Sequence, residues 1–121
     1  MPSAHVTIQT YQNIVLAAIE KDRLTDANSI NAAGDELMKI LDRHPKVSLV
    51  LDLKKVAAMS SQMIGKLVAL HKAVVKGKGR MAVCGSQKGI LPLFKVTKLD
   101  RVFDLRSDAQ EALLFYQRKP L

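Results

Sequence analysis

The stretch Val47-Ser-Leu-Val-Leu-Asp-Leu-Lys-Lys-Val-Ala-Ala-Met-Ser-Ser-Gln-Met-Ile-Gly-Lys-Leu-Val-Ala-Leu-His-Lys-Ala-Val-Val75 changes its apolar period once, and that change decides the fold. From Val47 to Leu53 the run is apolar except for Ser48 and Asp52, the pattern of a strand covered on both faces and therefore of a central, parallel strand. Lys54 to Met59 form the connection. From Ser60 or Ser61 onward, Met63, Leu67, Leu70 and Val74 recur at i, i+4, i+7 and i+11, which is a helix with one buried face. Ser60 and Ser61 stand where an N-cap is wanted, because a serine hydroxyl accepts a hydrogen bond from a first-turn N–H that has no partner within the helix. In open α/β sheets, sites collect where the carboxyl end of a strand meets the positive end of the next helix, and Met59 to Gly65 occupy such a place.

Outward from this stretch, Val6 and Ile8 alternate with Thr7 and Gln9, and Ile14 to Ile19 follow after Tyr11, Gln12 and Asn13, which predicts an antiparallel hairpin. Ile30, Ala33, Leu37, Ile40 and Leu41 mark a helix capped by Thr25 or Asp26 and stopped by Pro45 after His44. Gly77-Lys78-Gly79 ends the helix that began at Ser60, and Arg80 to Cys84 form the next strand, parallel to Val47–Leu53 because a helix joins the two. Gly85 to Gly89 read as a loop, Ile90 to Val96 as a short helix, and Val102-Phe103 as a short edge strand. Ser107 is the expected cap of a last helix, turning either Ala109, Leu113 and Tyr116 or Ala112 and Phe115 inward. The fold class is therefore α/β: a small mixed sheet of four or five strands backed by about four helices.

A chain of 121 residues is one domain's worth. The N-terminal residues lack the basic and apolar regions of a signal peptide, and the longest such apolar run, Ile14 to Ile19, is too short to span a bilayer, so a soluble, cytoplasmic protein is expected. Cys84, the single cysteine, lies in an apolar run and reads as a small core residue. Charge is uneven. Met1–Leu53 carry 5 Lys and Arg against 7 Asp and Glu, a net of −2, whereas Lys54–Leu121 carry 14 against 4, a net of +10. That asymmetry suits an acidic partner, nucleic acid or an anionic membrane face, or simply a solvated basic surface.

The residues from Leu49 to Leu67, L-V-L-D-L-K-K-V-A-A-M-S-S-Q-M-I-G-K-L, resemble the anti-sigma factor antagonist family, the STAS domain, whose usual run is an apolar strand ending in Asp-Leu followed by Met-Asp-Ser-Ser-Gly-Leu-Gly. Asp52 and Leu53 match the strand end, Met59 the residue before the motif, Ser61 the first of its two serines, and Ile64 and Gly65 its Leu-Gly. Ser60 stands in place of Asp, Gln62 in place of the second serine and Met63 in place of Gly. Leu24 to Asn28, Gly77 to Gly85 and Leu91 to Phe103 extend the resemblance over about residues 5 to 116, with Lys98 where the family's Leu-Thr-Gly-Leu-Asp pattern has its glycine. The resemblance implies a small mixed sheet backed by helices, no catalysis, and a partner kinase that phosphorylates the second serine. Gln62 has no hydroxyl to carry that phosphate.

Catalytic chemistry finds little support in the residues. His5, His44 and His71 have neither metal-ligand nor triad spacing, and His71 falls beside the buried stripe of its helix, where a hydrogen-bonded core-edge role is expected. Neither Gly77-Lys78-Gly79-Arg80 nor Gly85-Ser86-Gln87-Lys88-Gly89 is a phosphate-binding G-x-x-x-x-G-K-[ST] loop, and turn chemistry accounts for both. Asp52 has no carboxylate partner near it in sequence and is expected to hold loop amides. No metal site, catalytic residue or cofactor is expected.

The expected function is a non-catalytic interaction module. As the resemblance implies, it is an anti-sigma factor antagonist that binds an anti-sigma factor or serine kinase of the GHKL type and so regulates transcription. The expected contact surface comprises Ser60, Ser61, Gln62, Lys66, Ala69, Ala73 and Lys76, on the helix face opposite Met63, Leu67, Leu70 and Val74; a purely solvated face accounts for the same residues. Ser61 and Ser60 are the candidate phosphorylation sites. A small-ligand or nucleotide-binding sensor, using the backbone amides of Ser60 to Met63 with Lys54, Lys55 and Lys88, is the alternative from another class. Direct nucleic-acid binding is disfavoured by 4% aromatic residues and the lack of a reading motif.

Overall fold

The computed structural model describes residues 5–86 and 90–121. Strands β1 (Val6–Tyr11) and β2 (Ile14–Ile19) form the antiparallel hairpin, turned at Gln12-Asn13 with Gln12 at φ +57. A two-residue strand, β3 (Arg23–Leu24), precedes helix α1 (Ala27–Arg43). Of the two candidate caps, Asp26 does the work: its carboxylate accepts from the Ser29 N–H at 2.9 Å. Strand β4 (Ser48–Asp52) is buried at every position and lies between β2 and the strand β6 (Arg80–Cys84), parallel to both. Between them run β5 (Ala58–Met59) and α2 (Ser61–Lys76). The chain closes with α3 (Leu91–Val96), a 3-10 turn over Leu99–Arg101, β7 (Asp104–Arg106) and α4 (Ala109–Arg118).

The main sheet has the order β1-β2-β4-β6-β7 and is parallel except for β1. Alternation along β4 divides the core. Leu49 and Leu51 face α1 and α2 together with Val15, Ala17, Ile19, Met81 and Val83, whereas Val50 faces α4 with Ile14, Ala82, Cys84, Ala112 and Tyr116. Ser48 is buried on the α4 side and is satisfied by the Arg80 Nε donor at 2.8 Å, while the Arg80 guanidinium stacks on the Tyr116 ring at 4.0 Å and donates to the Tyr116 carbonyl at 3.2 Å. One cation thereby ties a central strand to the last helix.

Three expectations are corrected. The edge strand is Asp104–Arg106 rather than Val102-Phe103, because Phe103 turns into the core, where it packs edge-on against Phe94 and His71, each at 5.6 Å between ring centroids. Aromatic burial outweighs the strand propensity of that pair. The cap of α4 is Asp108, whose carboxylate accepts from the Glu111 N–H at 2.8 Å, one residue after Ser107. The inward pair of α4 is Ala112 and Tyr116, i and i+4, taking one residue from each expected set, while Ala109, Leu113 and Phe115 lie at the margin. One element is new. Within the connection after β4, Ala58–Met59 pairs in parallel with Arg23–Leu24 to make a separate two-stranded sheet.

Candidate docking site at the start of the second helix

The site grows out of the end of β4. Asp52 is buried, and its Oδ1 accepts from the Lys54 N–H at 3.0 Å, so the carboxylate shapes the loop that follows. Gly85 crosses beside it at φ +72, and a Cβ there would stand 2.8 Å from Asp52 Oδ1 and 3.0 Å from the Lys54 backbone nitrogen. Only glycine combines that backbone conformation with that approach. The loop is then fastened to the strand before α1: the Ala57 and Ala58 N–H groups donate to the Asp22 carbonyl at 2.7 and 3.1 Å, and the Ser60 N–H donates to the Leu24 carbonyl at 3.0 Å.

Ser60 is the N-cap of α2, its hydroxyl accepting from the Met63 N–H at 3.4 Å. Ser61 and Gln62 are the first two helical residues, and both are exposed. Their side chains stand in solvent at the positive end of a 16-residue helix. Met63, Ile64, Leu67, Leu70 and Val74 are buried, so the helix is held by its apolar face and its opening turn is left accessible.

Of the remaining surface residues named from the sequence, Ala69 and Lys76 are exposed, whereas Lys66 and Ala73 are half-buried. Lys66 lies on the flank toward α1, where its aliphatic stem crosses Gly34; a Cβ on Gly34 would meet Lys66 Cδ at 3.0 Å. The sequence reading omits Gly65 and Lys72, both exposed. Each precedes a buried residue, Leu67 or Val74, by two positions, about 200° around the helix, which is the signal that places them on the outermost line. The space around Gly65 is open to at least 4 Å.

Of the described residues offered for a small anionic ligand, the two lysines and the helix amides do not share one recess. Lys55 is ion-paired with Glu20 at 2.5 Å. Lys54 and Lys55 line a recess of about 200 Å³ with Thr7, Gln9, Leu16, Ala18, Ile19, Glu20 and Asp52, and none of Ser60 to Met63 is in its wall. Lys88 lies outside the described residues. Burial pushes the Cys84 thiol up to about 12, and its Sγ sits 3.5 Å from the Leu51 carbonyl oxygen, so it is a core residue with no thiolate at neutral pH. His71 is held by its ring contact with Phe103, and burial keeps its imidazole below the ordinary histidine value. Among the described residues, no group of three or more His, Cys, Asp or Glu side chains is arranged to hold a metal ion. No described helix is long and apolar enough to cross a membrane.

A five-stranded mixed sheet whose central strand leads through a short loop into a serine-capped helix with an exposed first turn defines a small α/β domain. The STAS domain family model matches residues 5–112, and the chain belongs to that family. Solved structures with the same fold include an anti-sigma-factor antagonist (STAS) domain protein from Planctomyces limnophilus, 20% identical over 90% of this chain and 94% of that chain with a TM-score of 0.80. An anti-sigma factor antagonist from Mycobacterium paratuberculosis is 19% identical over 93% and 92% of the two chains, also with a TM-score of 0.80. The unphosphorylated anti-sigma factor antagonist SpoIIAA, a Bacillus cell fate determinant, is 10% identical over 96% and 98% with a TM-score of 0.77.

Proposed function

We propose that this STAS domain is a non-catalytic anti-sigma factor antagonist, which binds an anti-sigma factor or a serine kinase of the GHKL type through the outer face of α2 and so releases a sigma factor. The observation that carries the reading is the exposed Ser61-Gln62 pair at the first turn of α2, in register with the family's two serines. Energy for such binding comes from surface complementarity. Gly65 and Ala69 allow close approach, and Lys72 and Lys76 favour an acidic partner.

Gln62 gives the contact surface a neutral side chain that both donates and accepts hydrogen bonds, and it holds the domain in the form equivalent to an unphosphorylated antagonist. A phosphate on a family serine adds about −1.5 to −2 charges at this helix end and repels the partner without unfolding the domain. Gln62 leaves the usual position without a hydroxyl, and Ser61 and Ser60 are the candidate carriers of a phosphate here. Affinity capture from the source cells with the tagged chain tests the reading. Recovery of a kinase of the GHKL type or another anti-sigma protein, lost on Gln62→Glu, is the expected result; recovery of small ligand alone would replace it.

A further inference from the structure

A recess of about 300 Å³ opens where β4 and β6 begin, at the other end of the sheet from Ser61 and Gln62. The five residues of β4, each rising about 3.3 Å, lie between the two places. Four segments far apart in the chain meet around it: the Gln12-Asn13 turn, Pro45-Lys46 ahead of β4, Arg80 at the start of β6, and the last turn of α4. Their backbones are tied together, since the Ser48 N–H donates to the Asn13 carbonyl at 3.2 Å and the Arg80 N–H to the Val47 carbonyl at 2.9 Å.

The wall is polar and positively charged. Arg80 and Lys46 supply two cations, Gln12, Asn13 and Gln117 supply side-chain amides, and no aspartate or glutamate side chain lines the recess. Arg80 is already fixed on three sides: its Nε donates to Ser48 Oγ, its Nη2 donates to the Tyr116 carbonyl, and its guanidinium lies over the Tyr116 ring. Among the described residues, neither the remaining Arg80 nitrogen, Nη1, nor the Lys46 ammonium has a partner. A guanidinium held this way loses little freedom when one more acceptor arrives. Two cations sharing a recess without a carboxylate attract an anion to it.

We propose that this recess binds a small organic anion, a carboxylate or phosphate monoester on a compact apolar body, with the anionic group on Arg80 and Lys46 and the body against Ile14 and Pro45. The volume sets the size, because about 300 Å³ is the lower end of the range for small-molecule pockets and suits a ligand of roughly one ring. The three amides both donate and accept, so they serve the polar edges of either acid. Occupancy at this end of the sheet leaves the start of α2 uncovered.

Amide chemical-shift titration of the full chain with benzoate, with phenyl phosphate and with neutral benzyl alcohol tests the site. Saturable shifts at Gln12, Asn13, Lys46 and Gln117 are expected with an anion and not with the alcohol; a response to benzoate only or to phenyl phosphate only identifies the acid group, and a response to both identifies their shared chemistry. Lys46 sits at φ +57, a conformation that asparagine adopts readily, so Lys46→Asn removes the charge without adding backbone strain. That variant should bind about fivefold more weakly, the effect of one partly exposed charge, with an unchanged thermal melt. Arg80 is kept, because it anchors β6 to α4. Absence of saturable shifts with either anion at millimolar concentration overturns the proposal. So does an equal response to benzyl alcohol, or binding that Lys46→Asn leaves unchanged.

Discussion

Lys66 of α2 lays its aliphatic stem over Gly34 of α1, so that the missing Cβ of one residue is the packing space of the other. The contact makes Lys66 part of the α1–α2 seam as well as of the candidate docking face.

Gly34→Ala is predicted to stabilise the fold, because the displaced atoms belong to a flexible side chain and alanine is favoured over glycine within a helix by up to about 1 kcal/mol. The expected rise in Tm is a few degrees, about 4 °C per kcal/mol for a domain of this size. Lys66 moves outward in response, so a thermal melt and a partner-binding titration on the same variant should change independently of each other.

Gly85→Ala is predicted to do the opposite. The positive φ and the approach to Asp52 Oδ1 and the Lys54 backbone leave no flexible neighbour to yield, and a loss of at least about 2 kcal/mol is expected in urea unfolding. A stability equal to that of the parent would show that the loop after β6 does not need its present course.

The two serines of the motif separate on substitution. Ser60→Ala removes the cap and should cost about 0.5–1 kcal/mol, at the low end because the hydrogen bond is 3.4 Å long. Ser61→Ala removes no cap and should leave the unfolding midpoint unchanged. If Ser61 is a phosphorylation site, Ser61→Asp abolishes partner binding while the alanine variant binds constitutively; intact-mass analysis of protein from its own cells under resting and activating conditions reads the modification directly.

Partner binding is predicted to be salt-sensitive, given the net +10 after Leu53. Lys72→Glu with Lys76→Glu should weaken it mainly through the association rate, measured by stopped flow at low and high ionic strength. An unchanged rate at low salt would remove the outer face of α2 from the interface.

Stability should fall with acid through His71. Its folded-state pKa is depressed by burial below the ordinary histidine value of 6.5, so the unfolded chain takes up a proton at a higher pH than the folded chain does. The stabilisation is complete above 6.5 and is lost as pH falls through the lower folded value. His71→Phe, which keeps a ring against Phe103, should flatten the denaturation midpoint over that window while other carboxylate-driven acid sensitivity remains.

The sequence by itself determined the hairpin, the buried parallel strand from Val47 and the helix that follows, because each is encoded by a local period that a few residues suffice to show. It also placed Ser60 beside the helix start, since capping is a relation between neighbours. Tertiary structure alone decided that Phe103 leaves the edge strand to pack against Phe94 and His71, that Ala58–Met59 pairs with Arg23–Leu24, and that Lys66 lies across Gly34. Each of these joins residues distant in the chain, and the energy that selects it, burial of a ring, a backbone ladder or a gap without a Cβ, exists only after the elements have met.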